Sequence, residues 1–278
     1  LLVDCYRKRF LQACCIDIKY RFIELLVEIL IVKKTYFISD VHLGAPALTN
    51  NSEREKLFVN LLDEAGKDAD EIYLLGDIFD FWYEYRKVVP RGFVRTLGKI
   101  AELTDKGVTV HFFTGNHDVW VYDYLPKEIG IIVHREPIVK VIGNKTFFLG
   151  HGDGLDPSDK GYLFLKRLFT SKTAQFFFSR LHPNIALWFG HQWAKRSRIS
   201  KGVEPEYIDD IEKESTIHFA RNFTKSNHID YFVFGHRHVF LESEIESGVK
   251  AVYLGEWFNF FSYAVFDGEK LELKRFKN

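Results

Sequence analysis

Five apolar runs of strand length each end in a small or polar residue followed by side chains that ligate metals. That recurrence constrains the fold more than any bulk property does. Residues 35–39 run into Asp40-Val41-His42, and residues 71–75 into Gly76-Asp77-Ile78-Phe79-Asp80. Residues 108–113 lead to Gly115-Asn116-His117-Asp118, 145–149 to Gly150-His151-Gly152-Asp153, and 231–234 to Gly235-His236-Arg237-His238. Short runs rich in β-branched and aromatic residues read as strands. Between them lie helical patterns: 53–65, with Leu57, Phe58, Leu61 and Leu62 on one face, and 93–106, closed by Gly107. Further strands are expected at 251–254, 262–266 and 271–275. Alternating strands and helices imply an α/β fold with a largely buried sheet. Ligands gather outside the carboxyl ends of such strands, so the five ends meet if the strands are parallel neighbours.

The spacing has its own logic. In Asp40-x-His42 and His236-x-His238, side chains two apart point the same way if the chain stays extended, so both can reach one cation. The glycines before the motifs suit a sharp turn. A mixed oxygen and imidazole set fits Mn²⁺, Fe, Zn²⁺ or Ni²⁺ better than Ca²⁺ or Mg²⁺ alone. No cysteine lies near the set, which argues against a thiolate zinc site. Any one of these motifs alone is commonly a surface turn. Five in this order, each after an apolar strand, are not a coincidence.

Composition excludes several classes. Lys and Arg number 38 against 38 Asp and Glu, so the chain lacks the basic excess of a general nucleic-acid binder. The three cysteines, Cys5, Cys14 and Cys15, offer no disulfide framework and favour a reducing compartment. No apolar run reaches transmembrane length. Arg7-Lys8-Arg9 imitates the start of a signal peptide, but Gln12 and Asp17 cut the apolar stretch that follows. Residues 1–31 are expected to be an appendage, possibly non-native, or an ordinary helix packed on the core.

One interval stands out. Successive motifs are 35 to 39 residues apart from Asp40 to His151, but His151 and His236 are separated by 85. The expected organisation is a core of 32–154 and 226–278, with 155–225 inserted as a helical cap broken at His182-Pro183. From Lys160 to Val203 there are nine basic residues, nine aromatic ones and no acidic one. Basic and apolar together suit an anionic amphiphile or a membrane surface. A solvated basic face on ordinary helices is the plainer reading, and single-stranded nucleic acid a further one.

The ordered motifs resemble the calcineurin-like metallophosphoesterase superfamily over about residues 35–266. The resemblance implies a two-sheet sandwich flanked by helices, with an inserted helical lid and a dinuclear metal centre. It implies Asp40, His42, Asp77 and His238 around one cation, and Asp77, Asn116, His151 and His236 around the other, with Asp77 bridging. His117 would hydrogen-bond the phosphoryl group or donate to the leaving group, and Asp80 would orient it. Asp118 and Asp153 would support the ligands, although plain turn capping also accounts for Asp80 and Asp153.

Within the superfamily, the arrangement is similar to the UDP-2,3-diacylglucosamine hydrolases of bacterial lipid A synthesis. These cut a pyrophosphate to give UMP and a lipid phosphate, usually with Mn²⁺, and carry a helical lid after Gly-His-Gly-Asp. The similarity implies two Mn²⁺ ions, with Fe, Zn²⁺ and Ni²⁺ as alternatives, and an anionic lipid-nucleotide substrate. It implies substrate contacts at Asn116, His117, Asp159, Arg196, Ser197, Arg198, Lys201 and His236. It also implies a cytoplasmic protein peripheral to the inner membrane, with no stable nucleic-acid partner. The departure is His117, where many members have Arg, and it bears on the exact substrate. Another phosphodiesterase, such as a nuclease, is the alternative. A non-catalytic scaffold is a third reading, but scaffolds lose ligands and every position here is filled.

Overall fold

Alternation along the strands decides the layering. The computed structural model describes residues 33–201, 204–205 and 207–276, with the backbone alone for 197–201. The segment 1–31 lies outside the described residues. Strands β1 (Lys34–Ile38), β2 (Ala69–Leu75) and β3 (Thr109–Phe113) run parallel. With β4 (Ile132–His134), β10 (Ser262–Phe266) and β11 (Leu271–Arg275) they form a sheet in the order β11-β10-β1-β2-β3-β4. A second sheet comprises β5 (Ile138–Ile142), β6 (Lys145–Gly150), β7 (Tyr231–Phe234), β8 (Phe240–Glu246) and β9 (Val249–Leu254), in the order β5-β6-β7-β9-β8.

Successive side chains on a strand face opposite ways. On the first sheet, Tyr36, Ile38, Ile72, Leu74, Val110 and Phe112 form one buried cluster with residues of helices α1 (Asn51–Ala65), α2 (Val94–Asp105) and α3 (Tyr124–Ile129). The intervening Phe37, Tyr73, Leu75 and Phe113 meet Phe147, Leu149, Tyr231, Val233, Val252 and Leu254 of the second sheet. The outer face of that sheet presents Phe148, Phe232, Phe234 and Tyr253 to Ile217 and Ala220 of α7 (Ser215–Thr224). The result is two stacked sheets between helices, as the family resemblance implies. The expectation of five parallel neighbours in one sheet is corrected. Three motifs end β1, β2 and β3, and two end β6 and β7 of the other sheet. Stacking, not adjacency within a sheet, brings them together.

The span expected to be an insertion carries α4 (Lys160–Thr170), α5 (Lys172–Phe178) and α6 (Pro183–Lys201). The expected break falls where Pro183 opens α6, a position that needs no N–H partner. The last part of the 155–225 span behaves differently. Its α7 covers the sheet and forms part of the crossover that the parallel pair β6 and β7 requires.

The inter-sheet layer depends on large aromatic side chains. Phe147 is fully buried against the rings of Phe37, Tyr231 and Phe266, at 5.6, 5.0 and 5.0 Å between centroids. We predict that Phe147→Ala lowers stability by about 3–5 kcal/mol in urea unfolding. Val141→Thr, on an edge-strand residue that is 63% exposed, should change it by less than about 0.5 kcal/mol.

Candidate metal centre

The loops after the strands are built from strained backbone. Asp40, His42, Asp77, His236 and His238 have φ of 53°, 48°, 53°, 65° and 54°. Side chains other than glycine rarely adopt this left-handed region, which costs roughly 1–3 kcal/mol each and clusters at functional sites. The expectation that Asp-x-His and His-x-His stay extended is therefore corrected: both pairs converge through left-handed turns. The surroundings hold the turns in place. Asp40 N–H donates to the Gly76 carbonyl at 3.1 Å, His42 N–H to Asp77 at 2.9 Å, and Trp257 N–H to Asp40 at 3.1 Å.

The glycines before the motifs serve mainly as room. Among Gly76, Gly115, Gly150 and Gly235, Gly76 alone has positive φ, at 88°. A Cβ on Gly235 would fall 2.6 Å from Asp40 Oδ2 and closer still to Ser39 Oγ. One on Gly115 would fall 2.6 Å from Asp77 N. Real Cβ atoms do not come so close, so any side chain there would push the acids out of place.

The seven expected ligand residues come together in two groups that share Asp77. In one, His42 Nε2 lies 3.1 Å from His238 Nε2, 3.6 Å from Asp40 Oδ1 and 3.8 Å from Asp77 Oδ2, and His238 Nε2 is 3.2 Å from Asp40 Oδ1. In the other, His151 Nε2 is 3.3 Å from Asp77 Oδ2 and 3.4 Å from Asn116 Oδ1, which lies 3.0 Å from His236 Nδ1. Ligand atoms about 2.0–2.2 Å from one ion stand roughly 3–3.5 Å from each other, and five of these seven separations fall in that range. The tautomers agree. His151 Nδ1 faces the Leu75 carbonyl at 2.8 Å, which can only accept, so Nδ1 carries the proton and Nε2 turns a lone pair inward. That lone pair, the Asp77 carboxylate and the Asn116 amide oxygen then face one point, which a cation satisfies. Burial alone would raise the Asp40 and Asp77 pKa values. Hydrogen bonds and charges of His238 and His42 outweigh it for Asp40, and His151 and His117 do so for Asp77, holding both below the usual carboxylate range.

Asp118 ties two loops together. Its oxygens accept from the N–H groups of Gly115 at 2.8 Å, Asp77 at 3.3 Å, Ile78 at 2.9 Å and Phe79 at 3.3 Å. Burial and the Asp77 charge push its carboxyl up against these donors. His117 N–H donates to Asp77 Oδ1 at 2.8 Å. The expected role of Asp80 is corrected in part. Its main-chain carbonyl, 2.8 Å from His117 Nδ1, orients that ring. Its carboxylate lies 3.9 Å from His117 Nδ1 but 3.2 Å from His42 Nδ1, and so chiefly aligns His42.

Two residues escaped the sequence reading. Arg54 is buried on α1 and donates to the carbonyls of Val41 and His42 at 3.1 and 3.2 Å, bracing the first loop. It sits among Glu53, Glu55 and Lys56, and nothing in that run separates it from a solvated face. Glu256 follows β9, a strand whose end had gone unread. It accepts from the N–H groups of Phe258, Asn259 and Phe260, and the Phe258 ring lies 5.5 Å from that of His238.

Helices α4–α6 border the site. A cleft of about 1260 Å³ is lined by Asn116, His236, Arg135, Asp159 and Arg196. Asp159 also caps α4, accepting from Tyr162 N at 2.8 Å. Ser197, Arg198 and Lys201 continue α6, but their side chains lie outside the described residues. A second cavity of about 230 Å³ is lined by Asp80, Asn116 and His117 together with Phe169, Phe178 and Trp193.

Comparison with known proteins agrees with this geometry. Residues 33–240 match the family model described as Calcineurin-like phosphoesterase. A Porphyromonas gingivalis protein named UDP-2,3-diacylglucosamine hydrolase is 39% identical over 254 residues, covering 87% of this chain and 97% of that protein. Proteins of the same name from Neisseria gonorrhoeae and Histophilus somni are 30% and 26% identical, covering 82% and 81% of this chain and 91% and 93% of theirs. The family and the clustered Asp and His residues together indicate divalent metal ions.

Metal binding should register as stability. Mn²⁺ at about 100-fold over its dissociation constant should stabilise the chain by about 2.7 kcal/mol, raising Tm by roughly 5–10 °C in a thermal melt. Gly235→Ala should lose most of that shift. Gly98→Ala on α2, where a Cβ meets open space, should keep it.

Proposed function

The chain belongs to the calcineurin-like phosphoesterase family, and from that premise we propose that it hydrolyses the diphosphate of UDP-2,3-diacylglucosamine to UMP and 2,3-diacylglucosamine 1-phosphate, a step of lipid A biosynthesis. Its likeness to relatives of that name extends over most of both chains. The observation that carries the reading is the cavity that joins His117 and Asn116 to the aromatic side chains of the inserted helices. A phosphoester site that opens directly into an apolar cavity suits a substrate with a charged and a fatty part.

In this reading Asp40, His42, Asp77 and His238 hold one divalent ion, and Asp77, Asn116, His151 and His236 hold the other, with Mn²⁺ the expected metal. Such ions, when bound, polarise phosphoryl oxygens and lower the pKa of water. The chain's own residues do the rest. His117 Nδ1 is committed to the Asp80 carbonyl, which leaves Nε2 to hydrogen-bond the phosphoryl group or hand a proton to the departing oxygen. Water adds to phosphorus, one P–O bond of the anhydride breaks, and the two phosphate products separate. Asp159, Arg196, Ser197, Arg198 and Lys201 are proposed to contact the anionic parts of the substrate. The core is 32–154 with 226–278, and the insertion 155–225 supplies the lid through α4–α6.

The lid also suits a membrane surface. Phe164, Phe177 and Trp188 are 71%, 67% and 62% exposed, and Arg167, Lys172 and Lys195 lie on the same three helices, with Arg180 in the turn between α5 and α6. Apolar rings beside cations favour the boundary of an anionic bilayer. Among the described residues, no helix is long and apolar enough to cross a membrane. Peripheral contact with the cytoplasmic face of the inner membrane follows from this reading.

With Mn²⁺, UMP release from UDP-2,3-diacylglucosamine should far exceed turnover of a nucleotide phosphodiester surrogate or single-stranded DNA. Turnover of the surrogate alone would reject the lipid substrate. His117→Ala should lower kcat by about 10²–10⁴. Arg196→Ala combined with Arg198→Ala should raise KM for the lipid substrate, and unchanged kinetics would remove the basic lid from the account.

A further inference from the structure

Helices α4 and α5 contain no fully buried side chain. Apolar burial therefore anchors them weakly, and their seat over the site depends on a few specific contacts. The far end of α4 rests on Trp120, whose indole N–H donates to the Phe169 carbonyl at 2.9 Å and whose ring meets that of Phe169 at 5.2 Å. The near end is held by a buried carboxylate.

Asp153 lies two residues after His151 on the same loop, with 7% of its side chain exposed. Its Oδ2 accepts from the Tyr162 hydroxyl at 2.6 Å and from Lys166 Nζ at 2.7 Å, and Lys166 also reaches the Asp153 carbonyl at 3.3 Å. Tyr162 and Lys166 are four apart on α4 and share one face. Gly154 lets them close over the loop. A Cβ there would sit 3.3 Å from the Tyr162 ring and 3.4 Å from the Lys166 side chain, at a φ of 70°. Hydrogen bonds to a buried ionised oxygen are short and about twice as strong as neutral ones. Neither donor can leave without exposing that charge.

We propose that Asp153 is a latch, and that Tyr162 and Lys166 are positioning residues that fasten the lid to the loop carrying His151. The latch sets the height of α4 and α5 above the site, and with it the depth of the apolar cavity between His117 and Phe178. The inference rests on the reading of α4–α6 as a lid over a phosphoesterase site. It adds the side chains that hold the lid.

Hydrogen–deuterium exchange on the whole protein without substrate tests the latch directly. In a Tyr162→Phe, Lys166→Met double variant, amides over residues 160–178 should exchange about tenfold faster or more, while those of β7 stay unchanged. Lys166→Arg, which keeps the charge, should restore much of the protection. KM for UDP-2,3-diacylglucosamine should rise about tenfold in the double variant, while kcat for bis(p-nitrophenyl) phosphate, which needs no lid, stays within about twofold. Unchanged exchange over 160–178 would overturn the proposal. So would joint loss of bound Mn²⁺ and small-diester turnover, because Asp153 would then serve His151 rather than the lid. If the unaltered protein does not act on the lipid substrate, the substrate assignment fails, while the exchange result still decides the latch.

Discussion

The Asp77 carboxylate sits where the two sheets meet, and the surrounding loops are arranged about it. Its Oδ2 lies 3.3 Å from His151 Nε2, which the second sheet supplies, and 3.8 Å from His42 Nε2, which the first supplies. Its Oδ1 takes the His117 N–H. A carboxylate buried this completely keeps its charge only where positive charge or donors surround it. The His117 N–H supplies one such donor, and divalent ions, when bound, would supply the positive charge. The strained turns, the cramped glycines and the Asp118 brace each keep this oxygen within reach of both sheets. Phe37 stacked on Phe147 keeps the sheets themselves in place.

The five motifs were legible because each follows a buried strand, and buried strands leave continuous apolar runs. Their convergence was legible only in outcome. Side chains two apart suggested extended backbone, whereas Asp40, His42, His236 and His238 are left-handed. Positive φ leaves no mark in a sequence when the residue is Asp or His. Strands β4, β5 and β8 were missed because they lie at or beside sheet edges, where burial is partial and the pattern breaks. Arg54 was invisible for a different reason. Its partners are main-chain carbonyls of a loop a dozen residues away, and no side-chain pairing advertises them.

The distribution of charge joins the site to its surroundings. The whole chain is neutral, yet the run from Lys160 to Val203 is entirely basic among its charged residues. Within that run Lys166 is paired with Asp153. The run's neighbours are exposed rings on the outside and an apolar cavity on the inside. An ordinary amphipathic helix hides its apolar face, but α4 and α5 leave Phe164, Phe176 and Phe177 exposed. The arrangement suits a substrate that carries both phosphates and apolar chains.

Diffraction from crystals grown with Mn²⁺, recorded at the manganese absorption edge, tests the central claim most directly. The account predicts two anomalous peaks roughly 3.5–4 Å apart, one beside Asp40, His42 and His238, the other beside Asn116, His151 and His236, with Asp77 touching both. A single peak, or none within reach of Asp77, would contradict it.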